Sequence, residues 1–211
     1  MSRPGAVSAA AASDWVVFDL NGTLLDPAAI GPEALDEAIL SAMTLNHVGE
    51  YRPFSELLRA ALVRRNGDDA DRLMEAAAGM PPFPEAAEAL DLLAGAGRRL
   101  AVLTNSTTDA AERGLRAAGL RARFAHVVGT DQVGAFKPDA RVYRHGLAAL
   151  GAAPGEATMV AAHWWDLRGA RAVGMRVAWV GRGEGSLSGL LPDPDAAAPD
   201  LLAVARQLAA S

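Results

Sequence analysis

Five places in this chain carry side chains able to do covalent or acid–base work: Asp19, Thr104-Asn105-Ser106, Lys137, His163 and Asp166. Four of them close a short apolar run or come within a few residues of its end, and Lys137 sits in the loop after another, in GAFKPD. Together they offer a carboxylate, hydroxyl and amide groups, an ammonium, an imidazole and a second carboxylate. Such a convergent polar set is the kind that catalyses a reaction on a small polar substrate. The first member raises a question of its own. In WVVFDLNGTLLD the residue two past Asp19 is an amide, Asn21, and not a second acid. Lys137 is also singular: of 20 cations, 19 are Arg and one is Lys. A lone Lys marks a position where a compact ammonium is wanted and a guanidinium fork would not fit.

The elements that must position these groups follow from periodicity. Trp15–Leu20, Arg99–Thr104, His126–Gly129, Ala157–Ala161 and Arg176–Val180 read as buried parallel strands. Helical patterns at Pro84–Ala96, Thr107–Ala118, Asp139–Leu150 and Asp166–Val173 alternate with them, and a last helix is expected at Leu201–Ala209 after a loop, SLSGLLPDPDAAAPD. Strand and helix in alternation give an α/β fold with a doubly wound parallel sheet, Rossmann-like in arrangement. Residues 24–83 break the alternation: two helices at Glu33–His47 and Phe54–Arg65 and a weaker one at Asp69–Ala78 precede PPFP at 81–84. The expected organisation is a core of residues 14–23 and 84–211 with a helical cap, 24–83, over the carboxyl ends of the strands, where such folds place ligands.

Composition bounds the partners. With 51% hydrophobic and 21% charged residues the chain is that of an ordinary soluble domain. A net charge of −5 without charge runs argues against nucleic acid, and no apolar stretch reaches the roughly 20 residues of a membrane span. Cysteine is absent, which excludes disulfides and thiolate chemistry. MSRPGAVSAAAAS runs straight into the first strand and reads as a frayed terminus. The cytoplasm is the expected location.

The order DxxGT, an apolar strand ending in Thr, then Lys-Pro, then an acid after a fourth strand resembles the haloacid dehalogenase superfamily along essentially the whole chain. That resemblance implies that Asp19 is a nucleophile forming a covalent intermediate, with Gly22 permitting the turn and Thr23 holding the carboxylate. Most members resemble Mg-dependent phosphatases, with DxDGT and GDxxxD. Here Asn21 stands in place of the second acid and Ala161-Ala162 in place of Gly-Asp. FDLNGTLLD, LTNST, FKPDARVY and WDLRGARAVGMRVAWVGR are closer to the 2-haloacid dehalogenase type, in which the aspartate attacks C2 of a 2-halocarboxylate without a metal or other cofactor.

On that resemblance Lys137 neutralises Asp19 and helps hold the substrate carboxylate, to which Thr104 and Asn105 donate. Asp166 orients Lys137 or activates water, and His163 is a candidate general base. Asn21, Tyr143, Arg52 and Trp164 are expected to line the substrate. An Arg on the first cap helix usually cradles the leaving halide, yet no Lys or Arg lies between Arg3 and Arg52. Arg52 is the nearest replacement, helped by Asn46 or Trp164. Plainer uses compete: turn-capping for Asp19, a surface cation for Lys137, helix-capping for Asp166 and for the Thr104–Ser106 group, packing for Tyr143, a solvated face for Arg52, and core or cap contact for Trp164 and Trp165. No pattern attaches to His47, His126 or His145. The expected activity is a metal-independent hydrolase of a small 2-substituted carboxylate, with a homodimer compatible by analogy. Its alternatives are a Mg-dependent phosphatase with a degraded site, opening of a strained cyclic imino acid, and a silent binding protein.

Overall fold

The computed structural model describes residues 15–182, 189 and 193–210. The N-terminal segment read as frayed, and most of SLSGLLPD, lie outside the described residues.

Six parallel strands form one sheet in the order β3-β2-β1-β4-β5-β6. They are β1 (Trp15–Phe18), β2 (Arg99–Leu103), β3 (His126–Val128), β4 (Ala157–Ala161), β5 (Arg176–Val180) and β6 (Ala196–Ala198). Every residue of the central strands β1 and β4 is buried, as befits apolar runs covered by helices on both faces. Chain order reverses direction across the sheet between β1 and β4. The crevice at their carboxyl ends is therefore the switch point where an α/β sheet binds its ligand.

The sixth strand corrects the expected loop. Three alanines carry little strand propensity of their own, so the pattern gave no sign of it. Pairing imposes the conformation: Asp195 exchanges backbone and side-chain hydrogen bonds with Val177, and the Gln207 amide clips both polar groups of Ala197. That clip closes an edge that would otherwise offer unpaired backbone.

Helices α4 (Ala86–Gly95), α5 (Thr108–Ala117), α6 (Ala140–Leu150), α7 (Trp164–Ala172) and α8 (Leu201–Ala209) flank the sheet. The insert consists of α1 (Pro32–Val48), α2 (Phe54–Asn66) and α3 (Ala70–Ala78). Helix α1 starts on Pro32, whose fixed φ suits the first turn, and ends at Gly49, whose φ of 76° makes the left-handed C-cap. It turns Leu35, Ala38, Ile39 and Ala42 inward and leaves Leu40 66% exposed on the outer side. These inward residues join Phe18, Leu20 and Val160 in one continuous apolar cluster. The chain leaves for the insert and returns side by side, tied by Asp26 N–H to the Pro81 carbonyl (2.8 Å) and Phe83 N–H to the Leu24 carbonyl (2.9 Å). Among the described residues no helix is long and apolar enough to cross a membrane.

Candidate active site

The loops leaving β1, β2, β3 and β4 converge on one buried ammonium. Lys137 is fully buried and its Nζ has three partners: Asp19 Oδ1 at 2.8 Å, Asp166 Oδ2 at 2.6 Å and the Leu103 carbonyl at 2.9 Å. An ammonium has three hydrogens, so all are committed. Its charge still acts on a bound anion, but the donors for a substrate carboxylate must come from elsewhere.

Asp19 sits one residue past β1, where its amide bonds the Val160 carbonyl (3.0 Å), and its Oδ2 accepts from the Thr23 hydroxyl at 2.9 Å. Thr23 Oγ1 in turn accepts from the Ala162 amide at 3.0 Å, fastening the Asp19 loop to the end of β4. Gly22 makes the turn possible. Its φ is 82°, and a Cβ there would meet His163 Nε2 at 2.8 Å.

Asp166 is entirely enclosed. One oxygen takes the Lys137 bond and the other the Tyr143 hydroxyl at 2.7 Å, which also reaches the Asp166 carbonyl at 2.9 Å. Helix α7 begins at Trp164, two residues earlier than the pattern suggested, with His163 in the N-cap position. Asp166 therefore lies in the first turn and bonds Lys137 and Tyr143, not its own helix start. Gly169, one turn on, has no room for a side chain: a Cβ would come within 2.6 Å of the Tyr143 hydroxyl.

Burial alone would raise the Asp19 carboxyl, but the Lys137 ammonium, His163 and the Thr23 hydroxyl outweigh it and hold the group below the usual carboxylate range. Asp166 goes the other way. Its complete burial, with the negative charge of Asp19 nearby, exceeds the pull of Lys137 and raises its pKa. Lys137 loses to burial and gains more from Asp166 and Asp19, so its pKa rises. Burial, then the Asp166 charge, pushes the Tyr143 phenol well above its ordinary value. The outcome is an ionised, poised Asp19 beside a fixed cation.

A cavity of about 20 Å³ opens on Asp19. Its core side is Asn21, Thr104, Asn105, His163 and Trp165, and its insert side is Leu35, Ile39 and Phe54. Asn105 Oδ1 accepts from the Lys137 amide at 2.8 Å, leaving the amide nitrogen as the donor not used among the described residues. The His163 ring stacks on Trp165 with centroids 5.3 Å apart, and its Nε2 lies 3.4 Å from the Asn21 carbonyl.

The structure thus brings Asp19, Thr23, Lys137, Asp166, His163, Thr104, Asn105 and Asn21 together. It does not bring Tyr143, Arg52 or Trp164 to the cavity. Tyr143 is turned to Asp166, Arg52 is exposed, and Trp164 faces a surface hollow on the far side of Ile39 and Trp165, beside Leu40, Met43 and Pro138. Asn46, expected beside the leaving group, instead grips the backbone of Phe136 with both ends of its amide, at 2.6 and 2.9 Å. Leu35, Ile39, Phe54 and Trp165 were missed. The signal for the first two was the inward stripe of α1, at a spacing of four residues.

The family model of haloacid dehalogenase-like hydrolases matches residues 14–174. Among curated proteins, the chain is 31% identical over 170 residues to haloacetate dehalogenase H-2 of Moraxella sp. (strain B), covering 77% of this chain and 76% of that one. It is 37% identical over 157 residues to a phosphoserine phosphatase of Thermus thermophilus, covering 71% of this chain and 61% of that one. A solved L-2-haloacid dehalogenase superposes with a TM-score of 0.82 at 27% identity, over 94% of this chain and 97% of the other.

Proposed function

The chain belongs to the haloacid dehalogenase-like hydrolases, and from that premise we propose that it displaces a substituent from C2 of a small 2-substituted carboxylate through an ester on Asp19. The observation that carries this is the Lys137 ammonium set between Asp19 and Asp166 at 2.8 and 2.6 Å. Magnesium wants six oxygen ligands in a near-octahedral shell. Here Lys137 and Tyr143 take both Asp166 oxygens, Asn21 offers no carboxylate, and Ala162 has no side-chain donor. These residues do not fit that ion.

In the first step a carboxylate oxygen of Asp19 attacks C2 in line. The C–O bond forms as the bond to the leaving group breaks, and that group departs with the electron pair. Thr104 and the Asn105 amide hold the substrate carboxylate in the cavity. Water then adds to the Asp19 ester carbonyl, giving up its proton to His163, the general base of this step. The Asp19 acyl–oxygen bond breaks, the departing alkoxide takes the proton back from His163, and a 2-hydroxy acid leaves with one oxygen from water remaining in Asp19. Asp166 and Tyr143 act through Lys137, keeping it in place. The protein acts in the cytoplasm on a small-molecule carboxylate, without nucleic-acid or membrane partners, and a homodimer is compatible with it by analogy.

A single turnover in H₂¹⁸O, followed by mass spectrometry of the peptide containing Asp19, tests the route. Label in Asp19 is expected; label found solely in the product would overturn it. Two other readings have a specific observation behind them. Similarity to the phosphoserine phosphatase favours phosphate-ester hydrolysis, and turnover of p-nitrophenyl phosphate that requires Mg²⁺ and stops with EDTA would establish it. The apolar insert wall, with no cation to receive a halide, favours a strained cyclic imino acid opened by the same attack. Comparing its turnover with that of 2-chloropropionate decides which leaving group is used.

A further inference from the structure

Two hollows share the side chains of Asn21 and Phe54 as a common wall. The one against Asp19 holds about 20 Å³, close to the space of a single water. The other holds about 220 Å³ and is walled mostly by Leu25, Leu58, Met74, Ala77, Met80 and Ala110, with Arg113 at its rim. For scale, an apolar cavity of about 150 Å³ takes a benzene ring. No 2-substituted carboxylate fits beside Asp19 unless part of the wall gives way. Helix α1 is ill placed to yield, because Asn46 ties it to the Phe136 backbone with two hydrogen bonds. Phe54 stands on the first turn of α2, buried in the apolar cluster by packing alone, and meets Phe136 edge-on with ring centroids 6.3 Å apart. Turning Phe54 aside makes one space of the two hollows.

We infer that the larger hollow is the subsite for an apolar chain on C2 of the substrate, so that the preferred acids carry a chain of up to about six carbons and not a bare methyl group. This rests on Asp19 attacking C2 as proposed above. The carboxylate stays on Thr104 and Asn105, C2 faces Asp19, and the chain passes Phe54 into the hollow between α2, α3 and α5. Its walls are apolar over most of their extent, so each methylene that enters leaves water for hydrocarbon. Such a transfer strengthens binding about fourfold per CH₂.

Two measurements on the intact protein test it. Calorimetry gives Kd for unreactive straight-chain acids from propionate to octanoate, and steady-state kinetics gives kcat/KM for 2-chloroalkanoates of the same lengths. Both are repeated on Ala77→Phe and on Ala110→Phe, which fill the hollow from opposite helices. The expected result is affinity rising about fourfold per methylene until the hollow is full, with that slope lost in either variant. Affinity independent of chain length in the unaltered protein, or a slope that survives both fillings, overturns the subsite. If none of the chloro acids reacts while the binding slope appears and is lost on filling, the subsite stands and displacement of halide at C2 falls. If they react without preference for length and binding is also flat, displacement stands and the subsite falls. Should one variant fail to fold, the other and the length series on the unaltered protein still decide.

Discussion

The cavity at Asp19 has two walls of opposite character. On the core side, Asp19 is backed by Lys137, Asp166 and Tyr143 in a chain of hydrogen bonds between 2.6 and 2.9 Å, each group buried and each making at least two of those bonds. On the insert side, Leu35, Ile39 and Phe54 present hydrocarbon and contribute no ionisable group. The sheet's loops therefore carry the electrostatics, where a shift of a few tenths of an ångström breaks a bond. The insert carries the shape, where side chains can trade volume at modest cost. Division of labour of this kind lets the shape of the cavity change without disturbing Asp19.

The contrast can be broken or sharpened by mutation. Asp19→Asn should reduce turnover by about 10⁴-fold or more, with an unchanged circular dichroism spectrum and no adduct by mass spectrometry; residual turnover near the normal rate would move the chemistry elsewhere. Lys137→Met strands two buried carboxylates, and urea unfolding should register a loss of about 3–5 kcal/mol. The same change should shift the acid limb of single-turnover ester formation to higher pH. The reason is sign: Lys137 is what holds Asp19 below the ordinary carboxylate range, so the unaltered protein keeps its nucleophile ionised further into acid. Tyr143→Phe leaves one Asp166 oxygen short of a donor and should cost about 1–3 kcal/mol, lowering kcat with little change in KM because the phenol does not reach the cavity. On the other wall, Ile39→Val should cost about 0.5–1.5 kcal/mol and act mainly on KM. Smallest of all, Arg52→Ala should leave kcat/KM within about twofold. A tenfold loss there would mean that the insert supplies charge after all and would end the contrast.

The two walls were also unequally legible in the sequence. Asp19 and Asp166 announce themselves because they follow β1 and β4 within a few residues, and the strands are plain in their apolar runs; Lys137 does so as the single Lys, in the loop after β3. A position at a strand's carboxyl end is fixed by the backbone. Leu35, Ile39 and Phe54 look in sequence like any core residue, since an apolar side chain facing a hollow has the same neighbours in the chain as one facing another helix. Tyr143 lies six residues after Lys137, which places it on α6 but does not say which of two buried neighbours its hydroxyl meets. Its direction depends on Gly169, a residue on another helix whose missing Cβ makes the space. The sixth strand escaped notice for a related reason: Ala196–Ala198 is extended because β5 and Gln207 hold it so, and three alanines carry no such instruction.

The three saturated hydrogens of Lys137 have a consequence for how the resting site differs from the alkylated one. At rest, Asp19 and Asp166 both draw on one buried ammonium. On the proposed route Asp19 becomes an ester, Asp166 is left as the sole acid on that ammonium, and the hydrogen formerly given to Asp19 can turn to the ester carbonyl. One fixed cation thereby serves both forms of the site, releasing one acid without losing its hold on the other.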